Sequence, residues 1–255
     1  MKFYSYGKKD KPILFLLPGT GCHWKNNFGH VLEGLSQSFY VVCVSYDGFD
    51  ETEKTTFNSI LEEVKKIEDY ILAHFNGKIT GMYGCSLGGS LVGQIVARKR
   101  VHISHAIIGS SDMDEAEVGA AKLNAWFTVN VFYSILHKGK MPRWMDKLLR
   151  KKCGEEYAEG MKHFIGSEIK MTFVTKESLY NQYYSDLVTK LPHQIEAKGT
   201  SIHCMYATKM GEKYLKRYNE YFKKPKIYTM EGMQHEELLL CKPKCWIKAI
   251  EEIMN

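Results

Sequence analysis

Short apolar runs alternate along much of the chain with segments whose apolar positions recur every three or four residues. Runs rich in β-branched and aromatic residues predict strands, whereas the recurring positions predict helices that pack by one face. The predicted strands are Ile13–Leu17, Tyr40–Gly48, Ile79–Tyr83, Ile103–Ile108, Ser201–Ala207 and Pro225–Met230. The predicted helices that separate or follow them are 27–39, Thr56–Phe75, Leu87–Arg98, Lys213–Phe222 and Lys244–Ile253. This alternation predicts an α/β fold, in which helices cover both faces of a mostly parallel sheet to give three layers.

The alternation stops over residues 112–199, where the pattern predicts helices and no strand. We therefore expect one core domain formed by residues 1–111 and 200–255, with 112–199 inserted as a helical cap. The insertion is rich in large apolar side chains, which are expected either to pack on the core or to line a hydrophobic pocket. These side chains are Trp126, Phe127, Val131, Phe132, Tyr133 and Leu136, with Tyr180, Tyr183 and Tyr184 further along.

Composition places the chain among soluble globular proteins, because 44% of its residues are hydrophobic and 25% are charged. The net charge of +6 is modest and its basic residues are scattered, so nucleic-acid binding is not predicted. The densest basic stretch, residues 146–153, reads as a solvated helix face or as a surface for anionic ligands or lipid headgroups. No apolar run approaches the length of a membrane-spanning helix.

The cysteines bear on location and on metal binding. Seven irregularly spaced cysteines, together with a start of the chain that lacks an apolar leader, predict free thiols in a cytoplasmic protein. Cys241 and Cys245 have a C-x3-C spacing but no second pair of ligands nearby in the sequence, so no metal site is predicted. No cofactor is implied either.

Residues 84–88, GCSLG, form a G-x-S-x-G motif between a predicted strand and a predicted helix. The glycines at 84 and 88 permit a sharp turn that presents the Ser86 hydroxyl at the positive end of the helix. The same residues in another context form a glycine-rich turn with a serine cap. The strand–turn–helix context favours Ser86 as a nucleophile.

With this motif in place, the chain resembles the α/β-hydrolase family over the whole of its predicted core. The loop PGTG at 18–21 is similar to the family's oxyanion loop, with Pro18 in place of the usual histidine. The resemblance implies oxyanion donors at the backbone N–H groups of Thr20 and Leu87. It also implies a catalytic base at His235, which lies between the last predicted strand and the last helix. Only residues 1–6 can supply a strand before Ile13, so the first of the family's eight strands is expected to be missing.

The carboxylate that would complete a triad has two candidates. The family places it after the penultimate strand, where Glu212 is the only acid, although one register puts Met210 at the expected position. Some relatives supply the acid after the preceding strand, where Asp112 lies. Both candidates stay open at this point.

Taken together, these residues predict a serine hydrolase that cleaves the ester, or else the thioester or amide, of a small hydrophobic molecule through an acyl-enzyme. The same constellation also serves C–C hydrolases and acyltransferases, and a pocket with an inactive triad serves as a small-molecule receptor. The sequence does not specify the acyl group or the oligomeric state.

Overall fold

A computed structural model describes residues 1–166 and 169–255, and its centre is a seven-stranded sheet in the order β1-β3-β2-β4-β5-β6-β7. The strands are β1 Lys2–Tyr6, β2 Ile13–Leu17, β3 Tyr40–Ser45, β4 Lys78–Cys85, β5 His102–Gly109, β6 Ser201–Ala207 and β7 Lys226–Met230. Strand β1 pairs antiparallel with β3, and all other neighbours are parallel. The α/β prediction is thus confirmed. Seven strands agree with the shortened N-terminal region.

Helices cover both faces of the sheet because β2, in the interior of the sheet, is apolar at every position. In β2, Leu14 and Leu16 pack with the helices Trp24–Leu35 and Pro243–Met254, whereas the alternate residues Phe15 and Leu17 pack with the helices Ile60–Phe75 and Leu87–Arg98 on the opposite face. The helices of these layers and of the sheet edge are α1 Trp24–Leu35, α2 Ile60–Phe75, α3 Leu87–Arg98, α8 Glu212–Tyr221, α9 Glu237–Cys241 and α10 Pro243–Met254. The result is a three-layer sandwich.

Between β5 and β6, the described residues form four further helices. They are α4 Val118–Lys138, α5 Arg143–Cys153, α6 Glu155–Ile165 and α7 Lys176–Val188. Helix α4 packs against α7, α5 against α6, and α6 against α9. None of the helices in the described residues is long and apolar enough to cross a membrane.

The expectation that the apolar side chains of this helical segment are buried is wrong for four of them. Trp126, Phe127, Val131 and Phe132 are all exposed. Helix α4 instead uses small residues, among them Ala121 and Ala125, on its packed face. Small side chains allow a close approach between helices, so the large ones are left on the outside.

Two helices begin at residues other than the predicted ones, because a side chain caps the N-terminus of each. Helix α2 begins at Ile60 rather than near Thr56, because the Ser59 hydroxyl accepts from the N–H of Glu62. Helix α1 begins early, at Trp24, because the buried His23 ring caps it by accepting from the N–H of Lys25. Strand β3 ends at Ser45, short of the turn at Gly48.

Candidate functional site

The site begins at the turn between β4 and α3, where Ser86 has φ +49° and ψ −113°. This conformation is strained for a residue with a side chain and is typical of a nucleophile elbow. A Cβ at Gly84 would lie 2.1 Å from the carbonyl oxygen of Gly88, so the turn requires glycine there. Within residues 81–96, Ser86 alone is not buried. The fold therefore presents one accessible side chain at this turn, a hydroxyl.

The loop at residues 18–21 lies next to this turn, and only some of its backbone N–H groups have hydrogen-bond acceptors. The N–H of Gly19 donates to Asn27 Oδ1 at 2.9 Å, and that of Gly21 donates to Gln182 Oε1 at 2.7 Å. Among the described residues, the N–H of Thr20 has no acceptor. Both neighbours of Thr20 are thus fixed, and its own N–H is left available to a ligand.

A second unpaired donor comes from helix α3. Leu87 is its first residue, and the first N–H groups of a helix have no intrahelical acceptor. The Thr20 and Leu87 donors belong to segments that are tied together, because Asn27 Nδ2 also contacts Cys85 Sγ at 3.5 Å. Such a pair of backbone donors is able to stabilise a developing oxyanion.

The two amides that fix the loop were not predicted from the sequence. Asn27, on α1, is almost completely buried, and Gln182, on α7, has no exposed surface. Within the part of the chain that the structure describes, Gln182 Nε2 has no hydrogen-bond partner. Because α7 belongs to the segment between β5 and β6, that segment helps to hold the loop beside Ser86.

His235 is half-buried in the loop after β7, where the backbone of Ser110 is close enough to the imidazole to raise the pKa of the ring. The carbonyl oxygen of Gly109, the residue before Ser110, accepts a hydrogen bond from the N–H of Ser86 at 2.8 Å. Ser86 and His235 therefore contact adjacent residues at the end of β5. Burial lowers the pKa of His235 to about 4, which the Ser110 carbonyl opposes. The ring is neutral at pH 7 and free to accept a proton.

A buried carboxylate lies directly beneath the turn. Glu236 has a left-handed backbone with φ +55°, and its side chain accepts from the Tyr83 hydroxyl at 2.8 Å and from the N–H of Ser86 at 3.2 Å. Burial raises the pKa of Glu236 to about 7, and these two donors oppose the rise. No pattern in the sequence predicts a role for Glu236, although it adjoins His235.

Neither carboxylate expected to complete a triad donates or accepts a hydrogen bond with His235 in the described residues. Glu212 is exposed as the first residue of α8. Asp112 is half-buried two residues after Ser110, and its pKa is raised by burial and by the Asp114 charge. Asp112 is the nearer of the two along the chain to the residue that holds the His235 ring.

Asp112 also has a neighbour from the helical segment. Asp186, on α7, has a pKa raised to about 8 by burial and by the Asp112 charge, which a hydrogen bond from Ser90 opposes. At pH 7 Asp186 is therefore mostly protonated. The described residues contain no cluster of three or more side chains suited to hold a metal ion.

Comparisons with known proteins agree with this architecture. A family model described as the alpha/beta hydrolase fold matches residues 12–152, more than half of the chain. No curated protein matches the sequence. Among solved structures, an alpha/beta hydrolase family protein from Desulfitobacterium hafniense superposes with a TM-score of 0.82 at 17% identity, over 100% of both chains.

Two further solved structures carry an activity in their names. An enol-lactonase from Burkholderia xenovorans LB400 superposes with a TM-score of 0.72 at 12% identity, covering 99% of this chain and 95% of its own. The esterase RhEst1 from Rhodococcus sp. ECU1013 gives a TM-score of 0.68 at 11% identity, covering 99% and 93%. At these identities the likeness concerns the fold.

Proposed function

Because this chain belongs to the alpha/beta hydrolase fold family, we propose that it is a serine hydrolase that cleaves a carboxylic ester through an acyl-enzyme. The observation that carries the proposal is the strained turn that leaves Ser86 alone accessible, next to two unpaired backbone N–H groups. A hydrolase in general follows from the fold and its esterase and lactonase neighbours.

In the proposed reaction, Ser86 Oγ attacks the ester carbonyl while His235 accepts the hydroxyl proton. The carbonyl oxygen becomes an oxyanion, which accepts hydrogen bonds from the N–H groups of Thr20 and Leu87. The tetrahedral intermediate collapses to an acyl-Ser86 ester, and His235 returns the proton to the departing alcohol. Water then attacks the acyl-enzyme by the same route, which releases the acid and restores the Ser86 hydroxyl.

The Ser110 carbonyl supports His235 as the base in this proposal. It raises the pKa of the ring and so favours the protonated form that His235 adopts when it takes the Ser86 proton. A carboxylate would add negative charge that stabilises the imidazolium. Of the two candidates, the structure supports Asp112 rather than Glu212, because Asp112 is half-buried near Ser110 whereas Glu212 is exposed.

We place the substrate among small hydrophobic esters, since apolar side chains from the helical segment, taken as a cap over 112–199, adjoin the proposed oxyanion loop. A Cβ at Gly21 would meet Leu136 Cδ1 at 3.2 Å and Leu179 Cδ1 at 3.3 Å. All seven cysteines are free thiols, which supports a reducing, cytoplasmic location.

Covalent labelling of the purified protein by a fluorophosphonate tests the proposal. We expect labelling of the wild type and its loss in Ser86→Ala and His235→Ala, with Ser90→Ala, a buried serine four residues further along, as the control that keeps it. Hydrolysis of p-nitrophenyl esters of increasing chain length then measures the size of the acyl pocket. Failure of the folded wild type to react would contradict the proposal and favour a non-catalytic receptor.

A further inference from the structure

The segment formed by α4, α5 and the loop between them, residues 118–153, carries more positive charge than the whole protein. It contains eight lysines and arginines and a single acid, Asp146, a net charge of +7 against +6 for the complete chain. The rest of the molecule is therefore close to neutral. The positive charge that looks scattered in the composition is concentrated on these two helices.

The same segment also carries most of the exposed large apolar side chains. Of the eleven such residues found in the described chain, eight lie between 118 and 153. They are Val118, Leu123, Trp126, Phe127, Val131, Phe132, Trp144 and Leu148. Clusters of exposed apolar residues are uncommon on proteins that remain free in water, and they mark interaction surfaces.

Helix α4 exposes an apolar stripe rather than isolated residues. Trp126 and Phe127 follow Leu123 by three and four residues, and Val131 follows Phe127 by four, so the four side chains share one face of the helix. The opposite face is buried and contacts α7. Trp126 and Phe127 are 56% and 57% exposed, and their rings pack edge to face. No part of the chain that the structure describes covers the apolar stripe of α4.

Helix α5 combines apolar and basic side chains on its surface, and none of its residues is buried. Trp144 is 60% exposed and lies one turn from the exposed Leu148. Lys147, Lys151 and Lys152 are also exposed beside them. Arg150 is different, because it pairs with acids on α5 and α6. A surface helix with exposed tryptophan, leucine and unpaired lysines is typical of segments that lie at a membrane interface.

We propose that the α4–α5 segment docks this protein on the surface of a membrane that contains anionic lipids. Tryptophan and phenylalanine side chains insert at the boundary between headgroups and acyl chains, and lysines contact lipid phosphates. A second copy of the chain fits this surface poorly, since it would bring a net +7 against a net +7. The docking is independent of the proposed reaction at Ser86.

The docking would also set the orientation of the proposed active site. Leu136, near the C-terminal end of α4, adjoins the loop at Gly21, and α7 beneath α4 holds that loop through Gln182. The site and the exposed stripe therefore lie on two sides of the same pair of helices.

Vesicle binding of the full-length protein tests this proposal. We expect the wild type to co-sediment with phosphatidylcholine vesicles that contain phosphatidylserine and to remain in the supernatant with phosphatidylcholine alone. Replacing Trp126, Phe127 and Trp144 by glutamine should weaken binding at least about tenfold. Glutamine at Leu61 and Leu72, exposed apolar positions on α2, is the matched control and should leave binding unchanged.

Charge is tested in the same way. Lys147→Glu, Lys151→Glu and Lys152→Glu together should weaken binding at least about 100-fold. Lys8→Glu, Lys9→Glu and Lys54→Glu alter the net charge equally at exposed positions elsewhere and should have little effect. Equal losses in the two triple variants would overturn the proposal, because bulk charge would then explain the binding.

A measurement on the unmutated protein covers the case in which a variant fails to fold. Trp126 and Trp144 are exposed, whereas Trp24 and Trp246 are buried. On adding anionic vesicles, tryptophan emission should shift to the blue and be quenched by brominated lipid. Tryptophan emission that does not change would overturn the proposal. A wild-type protein that sediments as a dimer, and becomes a monomer when Trp126 and Phe127 are replaced by glutamine, would also overturn it.

Discussion

The surroundings of Ser86 and those of Trp144 differ in how firmly their side chains are held. Around Ser86, glycines at 84 and 88 leave no space for a methyl group, and the N–H groups of Gly19, Gly21 and Ser86 all have acceptors. Around Trp144, helix α5 buries no residue at all. A reaction centre needs donors fixed to within a fraction of an ångström, whereas a surface that meets lipid needs only the right side chains on one side.

The largest expected effect contrasts two glycines, one at the turn of Ser86 and one on helix α4. At Gly84 an added methyl group would meet backbone atoms of Gly88 and Gly89 within 2.4 Å, and backbone cannot move aside. We expect Gly84→Ala to lower the free energy of unfolding by more than about 4 kcal/mol or to prevent folding. At Gly119, in the first turn of α4, an added methyl group would meet nothing within 4 Å. Gly119→Ala should therefore raise the free energy of unfolding by about 0.5–1 kcal/mol.

Urea unfolding measures both glycine variants by the same method. A Gly84→Ala protein within about 1 kcal/mol of the wild type would mean that the turn relaxes easily, and the strained presentation of Ser86 would then lose its physical basis.

These two regions also show what the sequence could predict. The turn at Ser86 was predicted because its signal is local: an apolar run, two glycines and a helical pattern lie within about twenty residues. Gln182 could not be predicted, since its contact with Gly21 spans 161 positions in the chain and no local pattern marks it. Trp126 was expected to be buried but is exposed. Helix α4 is apolar on both faces, so its periodicity does not indicate which face packs against the rest of the protein.

Replacing the carboxylate that would complete the triad should give the next largest effect. If Asp112 supplies the charge that stabilises protonated His235, Asp112→Asn should lower kcat about a thousandfold. Glu212→Gln should change it less than about threefold, since Glu212 is exposed at the start of α8. Steady-state kinetics on a p-nitrophenyl ester distinguishes the two. A large loss in Glu212→Gln alone would return the role to that residue.

A smaller effect is expected at Gln182, on the helix that packs against α4 and holds the loop beside Ser86. Gln182→Leu keeps the volume but removes the acceptor for the Gly21 N–H, so the loop should reorient and the Thr20 donor should move. We expect kcat to fall about 10- to 100-fold with little change in KM, because the Thr20 hydrogen bond strengthens in the transition state.

Two variants on α7 sharpen the test at Gln182. Gln182→Glu keeps an acceptor oxygen and should recover part of the activity, while Tyr184→Phe, half-buried on the same helix, should keep nearly all of it. If Gln182→Glu is as slow as Gln182→Leu, the effect is one of packing rather than of the hydrogen bond to Gly21.

The smallest effect concerns Glu236 and appears as a dependence of stability on pH. Burial raises the pKa of Glu236 to about 7, so from about pH 4.5 to 7 the unfolded chain releases a proton that the folded protein keeps. The stability due to this group is therefore present at low pH and lost as the pH rises through 7. Glutamine cannot ionise, so Glu236→Gln should gain about 1–2 kcal/mol relative to the wild type between pH 5 and pH 8.

The sign of this difference is specific to Glu236, because other buried groups titrate in both proteins. The pKa of His235 is lowered to about 4, so its contribution to the free energy of unfolding increases as the pH rises towards 6.5. This contribution is the same in the wild type and in Glu236→Gln if the environment of His235 is unchanged, so it cancels when the two proteins are compared. Chemical unfolding at the two pH values measures the difference, with Glu212→Gln as an exposed control that should show none. A difference of the opposite sign would mean that the Tyr83 and Ser86 donors outweigh burial, and that the turn is stabilised by an ionised carboxylate.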